Sequence, residues 1–333
     1  MSLARPTTCA AVMVVLSALA LSPHLALAQP APRPARHPEE AGPDFAVQGE
    51  YAGQLDDGTP LGVQVVALGH GRFQARAFVG GLPADGWDGT PPTAGEGTAV
   101  DGVVELAGQH GSGRIADGVM TLADSSGQVV GRLPRIERAS PTLGARPPDD
   151  ARVLFDGTHK EHFTGGRVME DGSLTTGVRT VDSFGDMRLH LEFKVPFMPG
   201  HRGQDRGNSG VYLQERYEVQ ILDSFGLDPR DNECGALYGL RAPNINASLP
   251  PLTWQTYDID FRAARFDEAG QRTVPAMITV RHNGVLIHED FELPHESPRG
   301  RTETGGRGPI YLQFHLCPVE FRNIWLVEPT GDE

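Results

Sequence analysis

Arg216, Glu218 and Gln220 alternate with Tyr217, Val219 and Ile221 in the segment Arg216-Tyr217-Glu218-Val219-Gln220-Ile221-Leu222-Asp223. Successive side chains of an extended chain point to opposite faces. The spacing therefore predicts an apolar row behind a row made of a cation, a carboxylate and an amide. Glu218 in such a row is a candidate acid or base. Asp223, five residues on, falls on the other face of a regular strand. Either a β-bulge returns it to the polar face, where two carboxylates could divide acid and base work, or it caps the turn suggested by Asp223-Ser224-Phe225-Gly226. A second row follows from Tyr311-Leu312-Gln313-Phe314-His315: Tyr311, Gln313 and His315 share one face, Leu312 and Phe314 the other. Imidazole titrates near neutrality, so His315 is either a second proton carrier, with Gln313 beside it to bind substrate, or a structural histidine bonded to a carbonyl. In Gly207-Asn208-Ser209-Gly210, Asn208 either orients hydroxyls of a sugar or belongs to a simple turn. Arg216 either clamps a substrate bidentately or pairs with Glu218. Tyr212 either offers its ring to a sugar face or packs in the core.

Strands are needed to hold these rows, and the chain supplies them. Segments over Met187–Val195, Gly210–Leu213, Tyr217–Leu222, Trp254–Phe261, Ala276–His282, Val285–Phe291, Ile310–His315 and Phe321–Val327 have strand character, and Asn283-Gly284 signals a tight hairpin. So many strands between about 151 and 330 predict a two-sheet sandwich. A smaller Gly-rich all-β domain precedes it, over about 45–139. Its strands include Gly62–Leu68, Arg72–Val79, Val100–Leu106 and Val119–Leu122, and turns such as Asp57-Gly58, Asp101-Gly102 and Asp117-Gly118 separate them. His70 and His110 there sit in Gly-rich turns and are expected in solvent. Three prolines between Ser140 and Asp150 mark a linker.

At the N-terminus, Arg5, the apolar run Ala10–Leu21 and Ala26-Leu27-Ala28 predict an export signal over residues 1–28, hence a secreted or periplasmic protein. Residues 29–44, rich in Pro and Ala, are expected to be a disordered lead-in. No later stretch is long and apolar enough to span a membrane. The 333 residues carry 29 basic and 43 acidic side chains, a net charge of −14. That disfavours a general nucleic-acid binder, which needs a basic face. Cys234 and Cys317, the two cysteines beyond the signal, either pair in an oxidising compartment or stay as buried thiols. Walker A, GxGxxG, GxSxG and HExxH motifs are absent, and Ser209 does not sit in a nucleophile elbow.

The stretch from Val153 to Val327 resembles the 3-keto-disaccharide hydrolase-like family. The resemblance is carried, in order, by Leu154-Phe155-Asp156-Gly157, Leu189-His190-Leu191-Glu192-Phe193, Gly207-Asn208-Ser209-Gly210-Val211-Tyr212-Leu213, Arg216 to Ser224, Gly235-Ala236-Leu237-Tyr238, Trp254-Gln255-Thr256-Tyr257-Asp258, His282-Asn283-Gly284-Val285 and Pro318 to Trp325. It implies a concanavalin-like jelly-roll sandwich acting on oxidised, 3-keto glycosides. A C3 ketone acidifies the C2 proton, so a base can start β-elimination of the C1 substituent, and water can then add. For that chemistry Glu218 and His315 are the candidate base and acid, in either order, with Arg216, Gln220 and Asn208 orienting the sugar and its enolate. A divalent metal is a further possibility in such a site, with Glu218, Asp223 and His315 as candidate ligands. Two departures stand out. Phe314 and Leu316 flank His315 where many members have Asp-His-Gly, and His162-Phe163 replaces a usual Gly-Trp. The alternatives are a non-catalytic sugar-binding module, a conventional glycosidase using a Glu218–Asp223 pair, and an envelope protein whose first domain does the work.

Overall fold

A computed structural model of the protein describes residues 33–329. The expected export signal lies outside them, as do residues 29–32 of the lead-in. Among the described residues no helix is long and apolar enough to cross a membrane.

Tight turns set the first unit. Asp101-Gly102 and Asp117-Gly118 each place two successive residues at positive φ (51° and 80°, 50° and 73°), the geometry that matches the twist of flanking antiparallel strands. Eight consecutive strands result: β1 (Gly49–Gln54), β2 (Pro60–Gly69), β3 (Arg72–Val79), β4 (Thr93–Val100), β5 (Val103–Gly108), β6 (Gly111–Ala116), β7 (Val119–Asp124) and β8 (Val129–Ile136). The strand expected over Val100–Leu106 is in fact two, because the Asp101-Gly102 turn separates β4 from β5. Each strand pairs antiparallel with the next, and β1 returns to β8 through Glu50 opposite Ile136, so the sheet closes into a barrel with no free edge.

The second unit contains β9 (Arg152–Phe155), β10 (Phe163–Gly165), β11 (Leu174–Thr175), β12 (Val178–Thr180), β13 (Met187–Lys194), β14 (Ser209–Leu213), β15 (Tyr217–Ile221), β16 (Trp254–Arg262), β17 (Arg265–Phe266), β18 (Arg272–Val274), β19 (Ala276–His282), β20 (Val285–Leu293), β21 (Tyr311–Leu312) and β22 (Glu320–Val327). A five-stranded sheet runs β10-β12-β21-β14-β15. A seven-stranded sheet runs β11-β22-β13-β16-β19-β20, with β9 on β22. The two share one apolar core: Val211, Tyr217, Val219 and Ile221 from the first meet Leu191, Phe193, Ile259 and Phe261 from the second. The rings of Tyr217 and Phe261, 5.5 Å apart, bridge the sheets. The fold is all-β and sandwich-like, as the strand pattern predicts. Cys234 and Cys317 are both buried free thiols.

The lead-in, expected to be disordered, and the linker are both tied down. From residue 33 the lead-in is ordered: Ala35 forms a two-way backbone bridge with Phe197, Arg36 pairs with Glu320, and a short helix, α1 (Pro43–Val47), packs Phe45 against Phe197. Backbone pairing and aromatic burial outweigh what composition suggests. The linker after Ser140 lies on the seven-stranded sheet. Thr142 donates to Asp258 (2.9 Å), the Gly144 amide donates to Glu192 (2.6 Å), and Asn323 donates to the Ala145 carbonyl (3.0 Å). His190 is fully buried between these two carboxylates, 2.6 Å from Asp258 and stacked on Trp325. Burial alone would disfavour a charged imidazole, but hydrogen bonds to Asp258 and Glu192 outweigh it and raise the pKa of His190 above 6.5.

A raised folded-state pKa contributes stability that is fully present below the unfolded value and is lost as pH rises through the folded one. His190→Asn should therefore lower the melting temperature most below pH 6.5, by the equivalent of about 1.5–3 kcal/mol. The gap to the parent protein should narrow in alkaline buffer. A gap independent of pH would show that His190 contributes by packing alone.

Candidate active site

The polar row of β15 looks away from the core. A loop covers it: the free edge of β15 is paired by residues 235–238, through Gly235 and Ala236 with Gln220 and the Tyr238 amide with the Glu218 carbonyl. Glu218 and Gln220 are both buried although polar. Together with their neighbours they line a cavity of about 150 Å³. Its walls are Glu218 and Gln220 of β15, Tyr212 of β14, Asn208 just before β14, Gln313 and His315 just after β21, Gln204 of the 3-10 turn Gly203–Asp205, and Tyr238 and Arg299 from loops.

Glu218 is the centre of this arrangement. Tyr212 donates its hydroxyl to Glu218 Oε2 at 2.7 Å, and Gln313 reaches that hydroxyl at 3.5 Å. In register Tyr212 lies opposite Glu218 and Gly210 opposite Gln220. A Cβ on Gly210 would stand 2.2 Å from Glu218 Oε1, so only glycine leaves the carboxylate its place. Burial pushes the Glu218 pKa up to about 7, against the smaller opposing pulls of Tyr212 and Arg299. Burial also raises the Tyr212 phenol, which stays a hydrogen-bond donor.

The amides form a second layer. Gln204 Oε1 accepts from both Asn208 Nδ2 (3.0 Å) and Gln220 Nε2 (3.0 Å), and the Gln204 carbonyl also accepts from Asn208 (2.8 Å). These donors fix the Asn208 amide, leaving its Oδ1 buried without a protein partner; Gln313 Oε1 is likewise unpartnered. Buried acceptors without partners are rare in folded proteins. Here they belong to residues lining a cavity, where hydroxyl donors of a ligand would satisfy them.

The cavity unites Asn208, Tyr212, Glu218, Gln220, Gln313 and His315, all six of them candidates in the sequence. It excludes two others. Arg216 lies in the turn before β15, following Gln214 and Glu215 at φ 55° each, so the alternation does not extend back to it. Its guanidinium is consumed by Gln214 (2.8 Å), the Gly306 carbonyl (2.8 Å) and Thr304. Asp223 makes a buried ion pair with Arg206 at 2.6 Å and accepts from the Phe225 amide. No bulge turns it into the cavity, so neither the Glu218–Asp223 pair nor the metal set Glu218, Asp223 and His315 is assembled. Among the described residues, three metal-type donors converge only at His37, Asp171 and Glu320, and there Arg36 and Lys194 already bind the Glu320 carboxylate.

The expected strand over Ile310–His315 is shorter than its pattern. β21 ends at Leu312, where Phe314 N turns to bond the Tyr311 hydroxyl. Gln313 and His315 still reach the cavity, but Phe314 is 56% exposed instead of facing the core, and Leu316 is 84% exposed at φ 60°. Gln204, Tyr238 and Arg299 were not singled out by spacing. Tyr238 belongs to the Gly235–Tyr238 block of the resemblance and was within reach of it. Arg299 sits in an aperiodic Pro-Arg-Gly loop that gives no signal.

Residues 150–327 match the model of the 3-keto-alpha-glucoside-1,2-lyase-like domain. A crystal structure of a candidate glycosyl hydrolase from Parabacteroides distasonis is 32% identical with a TM-score of 0.51, the match covering 55% of this chain and 85% of that one. Two further candidate glycosyl hydrolases from the same organism match at 17% and 22% identity with TM-scores of 0.39 and 0.40, each over 95% or more of its own length and over 55% and 54% of this chain. No curated protein matches the chain in sequence. The family match and the 32%-identical structure mark a glycosyl hydrolase-like, carbohydrate-active enzyme, and the chain belongs to the 3-keto-alpha-glucoside-1,2-lyase-like domain family.

Proposed function

We propose that the protein cleaves glycosidic bonds of sugars already oxidised to a ketone at C3, by removing the C2 proton and expelling the C1 oxygen. One observation carries this reading: Glu218 is the single carboxylate among the residues lining the cavity. A conventional glycosidase needs two carboxyl groups about 5–10 Å apart. Elimination next to a ketone needs one base, one acid and a group to hold the enolate.

The residues fill those roles as follows. Glu218, ionised near neutrality and held by Tyr212, takes the C2 proton. The electron pair passes to the C3 oxygen, where Arg299 supplies positive charge, the part expected of Arg216 before the fold placed that side chain elsewhere. The enolate collapses to a C1–C2 double bond as the C1–O bond breaks, and His315 protonates the departing oxygen. Asn208, Gln220 and Gln313 bind sugar hydroxyls. Addition of water across the new double bond would make the net reaction a hydrolysis. The N-terminal signal-like segment supports a site of action outside the cytoplasm, on a saccharide that another, oxidising enzyme supplies.

The direct assay is release of aglycone from a 3-keto-glucoside and from its unoxidised parent. Release from the keto sugar alone is expected, with Glu218→Gln slower by about 10²–10⁴-fold. Equal release from both sugars would return the reading to a conventional glycosidase, and sugar binding with no release from either would indicate a binding module.

Because the base acts ionised, kcat/KM should rise with pH through about 7. Tyr212→Phe removes a bond that favours the carboxylate, so it should move this limb to higher pH; an unmoved limb would assign it to another group. Gly210→Ala should leave the fold intact by circular dichroism yet cost about 10²-fold in kcat by displacing Glu218. Unchanged activity there would refute the placement of the base.

A further inference from the structure

The barrel has two unlike halves. In the half beside the sandwich the interior is filled: Tyr51, Val65, Phe73, Val104 and Leu133 are fully or almost fully buried. Phe45 of α1 and Phe197 of the sandwich close that end, with ring centroids 5.3 Å apart. In the other half the inward positions shrink to Ala75, Ala77, Gly95, Gly108 and Gly113, and an apolar cavity of about 220 Å³ opens among them, reaching the surface at the Gln109-His110 turn between β5 and β6. Leu61, Ala77 and Leu122 are only partly buried although they point into the barrel.

Strand geometry does not require this space. Some glycines are obligatory: a Cβ on Gly97 would lie 1.9 Å from the Glu105 carbonyl oxygen, and one on Gly111, at φ 157°, would lie 2.1 Å from that of Ala123. Gly113 differs. Its φ is ordinary, and the atoms nearest to a Cβ there would be side-chain atoms of Leu122 and Leu106, at 3.5 Å and more. A larger residue could fill the void at no backbone cost, and the chain keeps glycine. Eight-stranded barrels are just wide enough either to be filled by side chains or to hold one small ligand. An apolar cavity of about 150 Å³ stays dry and takes benzene; this one is larger.

We propose that the open half of the barrel is a binding site for one small uncharged molecule with an apolar body, the size of one or two fused rings. The charge distribution at the cavity selects that class. Its ionisable side chains, His110 and Asp124, stand at the mouth, where Asp124 Oδ1 accepts from Ser126 and from the Gln128 amide. The walls deeper in are aliphatic, so a charge carried inward would be desolvated without a partner. A polar end is accommodated only at the mouth, beside Gln109 and His110. The site is separate from the Glu218 cavity and does not depend on the reaction proposed for it.

The test is titration of the full chain with indole and 2-naphthol, followed by calorimetry and by saturation-transfer NMR. Saturable one-to-one binding is expected, weakened by about tenfold or more in Gly113→Leu and in Ala77→Phe, with the melting temperature held or raised and activity at the Glu218 site unchanged. Ala77→Phe decides the matter if Gly113→Leu does not fold. Absence of saturable binding by either probe, or binding that both filled variants retain, would overturn the proposal. So would displacement of the probe by a sugar that occupies the Glu218 cavity.

Discussion

A carboxylate kept out of water is the constraint on which the site depends. Glu218 is 3% exposed, on a strand face that would ordinarily meet solvent. Such a group raises its pKa unless charges or hydrogen bonds favour its ionised form. Tyr212 supplies one such bond and Arg299 a more distant charge, and the balance settles near neutrality. The neighbours follow from this. Gly210 has no side chain because the carboxylate occupies that space. The segment from Gly235 to Tyr238 covers the strand edge because burial of the carboxylate needs a cover. Gln204 gathers Asn208 and Gln220 so that the remaining polar surface is oriented, with acceptors left for a ligand.

The rest of the molecule makes that face rigid. The apolar row of β15 packs against the seven-stranded sheet, so Glu218 rests on a close-packed core and not on a loop. On the seven-stranded sheet a second buried polar cluster, His190 with Asp258 and Glu192, holds the linker that follows the barrel. Burial opposes ionisation of Glu192, yet bonds from His190, Asn323 and Arg322 bring its pKa down to about 2, the reverse of the outcome at Glu218. The two carboxylates differ in the number of donors around them. Glu192, with many, is a structural anchor. Glu218, with few, is free to exchange a proton.

Most of the site was legible in the sequence because period 2 is a direct consequence of strand geometry. Glu218 and Gln220 fall on the cavity face by alternation along β15, whereas Gln313 and His315 reach it from beyond the end of β21. The failures occur where alternation stops. Arg216 is in a turn at positive φ, and Phe314 lies just past the end of β21, so neither obeys the pattern it was assigned to. Alternation leaves Asp223 open between bulge and turn, and a buried arginine seventeen residues earlier decides it. Such long-range pairings, like closure of the barrel through Glu50 and Ile136 or the docking of Ala35 on Phe197, leave no local trace in composition or period.

The central claim is that bond cleavage begins at C2. The most direct measurement is turnover of a 3-keto-glucoside carrying deuterium at C2, in ordinary water, with the sugar product examined by mass spectrometry and corrected for spontaneous exchange. If Glu218 removes that hydrogen, each released aglycone is accompanied by loss of the deuterium, and Glu218→Gln abolishes both together. Aglycone released with the C2 deuterium retained would mean direct displacement at C1 and would contradict the mechanism.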